Sequence, residues 1–450
     1  MAIKTWNGGG GNNNWTTGAN WGGTAPVAND ALVFAGSTRL TPYNDFAAGT
    51  SFNSITFASG AGAFTLGGNR VTIGTTAGVK NSGSATQTVD LALTFNNAQT
   101  LLQKVAGPLV INGVISGTGG IKANGANPLS LLGANTYTGK TYLVQGDITI
   151  NSIKNVSGGA SSFGAPTTVA NGTIDISGFE PVIIYTGAGD DTDRVLHASG
   201  GAGKKVTIEH AGSGTLDFTS MPTGAASTKT LIIRGSSTGL IKFTAAIADV
   251  GGAVLTLQKE GSVFCELNGN NSYTGPTNIN AGKLRCNGNF TGATGAITVA
   301  SGAVLGGFGN IYATTTIQNG GILSPSMQAT RPAATFELDN PVVLNSTSKL
   351  EYLLGTASDR VDIVGNLTLD GVIDVTAGTG FAAGTYRIFN YSGTLTNNTL
   401  TVGTLPVGYT AVVDVSTPGD VDLIISATST AKSGERQAFG QARGQENGQT

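Results

Sequence analysis

Apolar side chains along this chain recur in short runs interleaved with Thr, Ser, Asn or Asp. Examples are Val71-Thr72-Ile73, Ile148-Thr149-Ile150, Val254-Leu255-Thr256-Leu257 and Val372-Ile373-Asp374-Val375. A period of two sends one face of each run to a core and the other to water, which predicts strands. No window of about twelve residues carries the i, i+3, i+4, i+7 stripe of an amphipathic helix, so the chain reads as all-β. Gly/Asn-rich turns separate the runs at intervals of about 8–12 residues. One phrase is written twice: Gly133-Ala134-Asn135-Thr136-Tyr137-Thr138-Gly139 and Gly269-Asn270-Asn271-Ser272-Tyr273-Thr274-Gly275. A short strand pattern precedes each copy, and a polar stretch ending in another strand follows. Units of this kind bury their apolar face only by stacking on one another, which predicts a solenoid and an elongated surface.

The pattern divides the chain into four parts. Residues 1–24 hold all three tryptophans, Trp6, Trp15 and Trp21, among Asn/Gly turns. A solenoid must cover its first coil, so these rings suit an N-terminal cap; the functional alternative is a stacking platform for sugars. Residues 25–330 carry the repeats, with a less regular stretch at 155–250. Residues 331–427 alternate more strictly, as in Lys349-Leu350-Glu351-Tyr352-Leu353, and predict a sandwich-like or capping C-terminal β portion. Residues 428–450 turn to Gln, Gly, Arg and Glu, and predict a disordered tail.

Composition narrows the class. Glycine supplies 69 of 450 residues and charged residues only 11%, against a usual share of about 25%; 39% apolar residues still provide a core. A net charge of −2 gives no electrostatic case for nucleic acid or anionic membranes. No apolar run approaches the ~18 residues of a membrane helix. The first residues lack a secretory apolar segment, so the expectation is a protein made without a signal or one from which it was removed. Cys265 and Cys286 are spaced as one coil. They are expected to stack on successive coils as buried small hydrophobes, a disulfide being allowed but not required.

Candidate chemistry is sparse. Tyr137 and Tyr273 could present rings to a glycan, or pack over a coil corner. Asn135, Asn270 and Asn271 could form ladders between coils. Asp190, Asp191 and Asp193 offer oxygen ligands for Ca²⁺ but lack the glycine and terminal glutamate of an EF-hand loop; otherwise they form an exposed acidic loop. Glycoside hydrolysis needs two carboxyls about 5–10 Å apart. Asp359 with Asp362, or Asp190 with Asp193, could be such a pair, although Asp359 and Asp362 read as solvated surface. His197 and His210 have no metal-ligand spacing, and no nucleophile motif is present. No cofactor is expected.

Two further stretches complete a resemblance. Gly117-Thr118-Gly119-Gly120-Ile121, Leu129-Ser130-Leu131 and the phrase at 133–139, with the second copy closing on Ile279-Asn280-Ala281-Gly282-Lys283-Leu284, resemble the passenger-associated repeat of bacterial autotransporters. Leu305-Gly306-Gly307-Phe308-Gly309, Gly320-Gly321-Ile322-Leu323-Ser324-Pro325 and Asp359-Arg360-Val361-Asp362-Ile363-Val364-Gly365 are similar to segments that follow it. The resemblance implies a right-handed parallel β-helix outside the cell and carries over no catalytic residue. Nothing after 427 could form the membrane barrel of an autotransporter. The Trp-rich opening also resembles the starts of β-helical virion proteins of tailed bacteriophages. The expectation is therefore a non-enzymatic structural or display protein of a virion exterior. It would be held by capsid or tail proteins through a terminus, and would be glycan-adhesive and open to homo-oligomerisation. The alternative is a passenger fragment of a secreted surface adhesin; a polysaccharide depolymerase is third.

Overall fold

The computed structural model describes residues 1–428 apart from 179, 202, 225–228, 250–251, 293 and 328–332; the expected tail beyond 428 lies outside the described residues. The chain is a stack of parallel strands. One sheet of sixteen strands, from Tyr43–Asn44 to Leu395–Asn397, takes one strand from each turn and so spans about sixteen turns. Two ten-stranded sheets share the other sides. One runs from Ile3–Trp6 to Thr223–Gly224, the other from Asp190–Thr192 to Thr401–Val402. A four-stranded sheet near the N-terminus (Thr50–Phe52 to Ile115–Ser116) and a six-stranded sheet near the C-terminus complete a three-sided cross-section.

The period of two seen in the sequence is the rule by which the stack fills. In the long sheet Leu109, Leu129, Ile148 and Ile183 align on successive turns, as do Ile111, Leu131, Ile150 and Tyr185. All eight point into one continuous core. Between them Val110, Ser130 and Thr149 form the outward column. Identical in-register stacking leaves every backbone N–H and C=O of a strand paired with the turn above and below.

The Trp-rich opening is the lid of this core. Ile3–Trp6 pairs with Ala31–Phe34 as the first rung. Trp6, Trp15 and Trp21 sit on Phe34, with ring centroids 6.0, 5.4 and 5.6 Å away. The Trp21 indole N–H donates to the Trp15 carbonyl at 2.7 Å. Turn corners are clipped from inside by buried lysines. The Lys104 ammonium donates to the carbonyls of Gly125 (2.7 Å) and Gln145, which belong to the next two turns. Lys259 donates to Glu260, Gly261 and Ala281 at 2.9, 2.8 and 3.1 Å. Burial pushes both ammoniums down to about 8.

Thr315–Ile317 and Val342–Leu344, three residues each, are neighbours in the sixteen-stranded sheet, so the same stack continues past residue 331. Antiparallel closure comes only at the end, where Asp420–Ala427 pairs with both Gly384–Tyr391 and Tyr409–Asp414. The two cysteines occupy adjacent strands, but the register sets Cys265 opposite Leu284 and Leu267 opposite Cys286. They are therefore displaced by two positions rather than stacked. Both are free and buried, and burial pushes the Cys265 thiol up to about 12.

Candidate binding surface

The repeated phrase builds the same corner twice. The Asn135 carbonyl oxygen accepts from the Ile115 N–H at 2.7 Å, and that of Asn271 accepts from Ile247 N–H at 2.8 Å. Their amides donate to the carbonyls of Ser162 and Gly269. The Tyr137 hydroxyl bonds Thr141 Oγ1, and the Tyr273 hydroxyl bonds Thr277 Oγ1, both at 2.7 Å. Both phenols are wholly buried, which pushes Tyr137 up to about 12 and raises Tyr273 as well. Asn side chains thus link turns mainly through the backbone. Asn270 accepts from Asn289 N–H, and an Asn–Asn rung joins Asn287 to Asn268 at 2.8 Å.

Burial corrects the glycan-stacking role considered for Trp6, Trp15, Trp21, Tyr137 and Tyr273. All five rings lie inside the core, and a sugar can stack only on a ring face that reaches solvent. The acidic stretch does not gather either. Asp190 is buried and accepts from the Ile153 N–H, Lys154 and the Tyr185 hydroxyl. Alternation in Asp190–Thr192 turns Asp191 outward, and Asp193 accepts from Val156 N–H at 2.7 Å. Among the described residues no three His, Cys, Asp or Glu side chains converge as metal ligands.

Asp359 and Asp362 lie on opposite faces of their strand, and burial corrects the reading of Asp359 as solvated surface while Asp362 stays on the outer face. Asp359 is wholly buried and accepts from Leu353 N–H, Ala334 N–H and the Ser326 hydroxyl, each at 2.8 Å. Burial raises its carboxyl against those donors. Asp362 faces outward. It takes both arms of Arg360 at 2.7 and 2.8 Å, and Asn390 at 2.8 Å. His197 bonds Thr223 and His210 bonds Ser237 through ring nitrogens; burial lowers His210.

One feature of the outer wall, with Asp217, Glu266 and Arg285 largely buried within it, was not read from the sequence. The strand register aligns Asp191, Asp217, Lys242, Glu266 and Arg285 on consecutive turns, one charged side chain per turn. Lys242 binds Asp217 at 2.8 Å and Arg285 binds Glu266 at 2.6 Å. The Arg285 guanidinium also lies 4.6 Å over the Phe264 ring. Cross-strand pairs of opposite charge favour this register. No shared phrase marks these positions, so only the pairing of turns reveals the ladder. It ends at Gly306, where the segment Ser324–Met327 folds over the next turn.

No protein-family model matches the chain. The chain is 28% identical to the adhesin BmaC autotransporter of Brucella suis biovar 1 (strain 1330) over an alignment of 353 residues, which covers 60% of this chain. The matched region is 10% of that protein's length. The resemblance to autotransporter passengers thus rests on both the β-solenoid and a named adhesin relative. No helix among the described residues is long and apolar enough to cross a membrane.

Proposed function

We propose that this chain is a passenger-type segment of a cell-surface adhesin: a rigid, non-enzymatic β-solenoid that carries binding surfaces away from the cell. The observation that supports this reading is the combination of a stacked β-solenoid with similarity to an autotransporter adhesin. Sixteen turns at about 4.8 Å per turn give a rod of roughly 75 Å. Its outward columns are Thr, Asn, Ser and paired charges, suited to weak polar contacts spread along a surface. The relative found is an adhesin, which favours the second of the three sequence readings, an adhesin passenger, over a virion component.

Antibodies raised against the chain test the location, and chain-coated beads test the activity. Labelling of intact cells, together with bead capture by epithelial cells or extracellular matrix, is the expected result. Labelling confined to phage particles would transfer the rod to a virion. Beads that adhere no better than albumin-coated ones would remove the adhesive role.

A further inference from the structure

We infer that Asn124 is a site of spontaneous covalent modification, where the Gly125 nitrogen closes on the Asn124 side chain and converts it to isoaspartate without an enzyme. The inference stands whatever the rod binds. The sequence holds eight Asn–Gly pairs, and all but Asn447-Gly448 lie among the described residues. Glycine has no Cβ to hinder its own nitrogen, so the sequence alone ranks these pairs equally. Their hydrogen bonds do not.

The reaction needs a glycine N–H that no other group holds. In five of the seven described pairs it is held. Gly8 N–H donates to the Asn20 carbonyl at 3.3 Å, Gly113 to Val89 at 3.1 Å and Gly172 to Thr168 at 2.8 Å. Gly288 donates to Leu267 at 3.1 Å and Gly320 to Thr347 at 3.0 Å. In the sixth pair the Asn268 side chain is taken by Asn287 at 2.8 Å, and Gly269 is buried so closely that a Cβ on it would run into the Ala245 carbonyl. Asn124 differs on each count. It ends the strand Ile121–Asn124 on its outer face, and the Gly125 N–H points at the Asn124 side-chain oxygen, 3.0 Å away. The attacking nitrogen therefore already lies against the carboxamide. The Asn124 amide nitrogen, which has to leave, donates to no group among the described residues.

Water alone balances the step. Hydroxide takes the Gly125 amide proton, the nitrogen adds to Asn124 Cγ, the Cγ–Nδ2 bond breaks and ammonia leaves. Water then opens the five-membered imide at either carbonyl, which gives aspartate or isoaspartate. The isoaspartate form carries an extra methylene in the main chain between residue 124 and Gly125. Gly125 bears the carbonyl that buried Lys104 clips at 2.7 Å, while the same ammonium holds the Gln145 carbonyl on the following turn. A longer link moves the Gly125 carbonyl off a lysine that the core encloses, so conversion unfastens the corner between two turns.

The test holds the purified folded chain in mildly alkaline buffer at body temperature and maps its peptides by mass spectrometry at intervals. Asn124 is expected to convert first of the seven pairs, with isoaspartate told from aspartate by electron-transfer fragmentation. In denaturant the seven should convert at similar rates, which assigns the order to the fold. Another of the seven converting ahead of Asn124, or the same order in denaturant, would overturn the site. Amide exchange on the converted chain reads the consequence. Val144 N–H bonds the Ala123 carbonyl across the same two turns at 2.9 Å, and it should exchange about tenfold faster in the isoaspartate form. Asn124→Asp carries the new charge without the extra methylene and should keep the wild-type rate at Val144. Unchanged exchange after conversion, or equal acceleration in Asn124→Asp, would overturn the unfastening of the corner.

Discussion

At the scale of single residues, the buried polar groups do the distinctive work. Tyr137 and Tyr273 make the same 2.7 Å bond to a threonine four residues on, so Tyr137→Phe and Tyr273→Phe should each cost about 1 kcal/mol. The two sites share no partner, and the double variant should cost about 2 kcal/mol in denaturant unfolding. Lys104 and Lys259 give a pH dependence. Each ammonium is held near 8 in the fold, below its ordinary 10.5. Between those values the unfolded chain binds more protons, so this contribution to stability grows as pH rises. The buried thiols of Cys265 and Cys286 are raised and act in the opposite sense above their ordinary value near 9. The readout is therefore the stability difference between wild type and Lys104→Met, which should grow in favour of wild type from pH 8 to 10. A difference independent of pH would show that the carbonyl clip keeps the lysine at its ordinary value.

At the scale of elements, Asp359 links three separate pieces of chain: the loop at Ser326, the return at Ala334 and the strand containing Leu353. An asparagine can accept at only one of its two positions, so Asp359→Asn should destabilise by about 2–3 kcal/mol. It should also loosen the backbone at Ala334 and Leu353, which would show as faster amide exchange there than in the rest of the chain. Strand content, the repeated corner and the aromatic lid were all legible in the sequence, because each is written in local alternation or in a local phrase. Asp359 shows what was legible and passed over. Val361 and Ile363 point inward, and residue 359 has the same parity, so alternation alone assigns it to the core. The ladder from Asp191 to Arg285 was not legible. Its partners lie a whole turn apart, and turn lengths vary with each excursion, so its register exists only once the turns have stacked. The singular position of Asn124 was hidden for a related reason, since Gly113, Gly288 and Gly320 are held by carbonyls on neighbouring turns.

At the scale of the whole molecule, each turn touches chiefly the turns before and after it, so stability is close to a sum of neighbouring contacts. Hydrogen exchange should report this directly. Removing the closing strands Tyr409–Asp414 and Asp420–Ala427 should deprotect the C-terminal turns, while amides of Leu109–Ile111 and Leu129–Leu131 keep wild-type protection. Loss of protection throughout would mean the stack unfolds as one unit. The parallel stacking has a mechanical consequence as well. Bonds between turns run along the rod, so tension between its ends pulls on them a few at a time and peels turns off in sequence. One turn, such as Asn278 to its partner Thr298, holds about twenty residues, and unravelling it adds roughly 70 Å of slack. Force spectroscopy should show a train of small rips whose spacing follows the length of each turn, from twenty residues between Leu109 and Leu129 to thirty-five between Ile148 and Ile183, and a tether built this way would yield by lengthening before it let go.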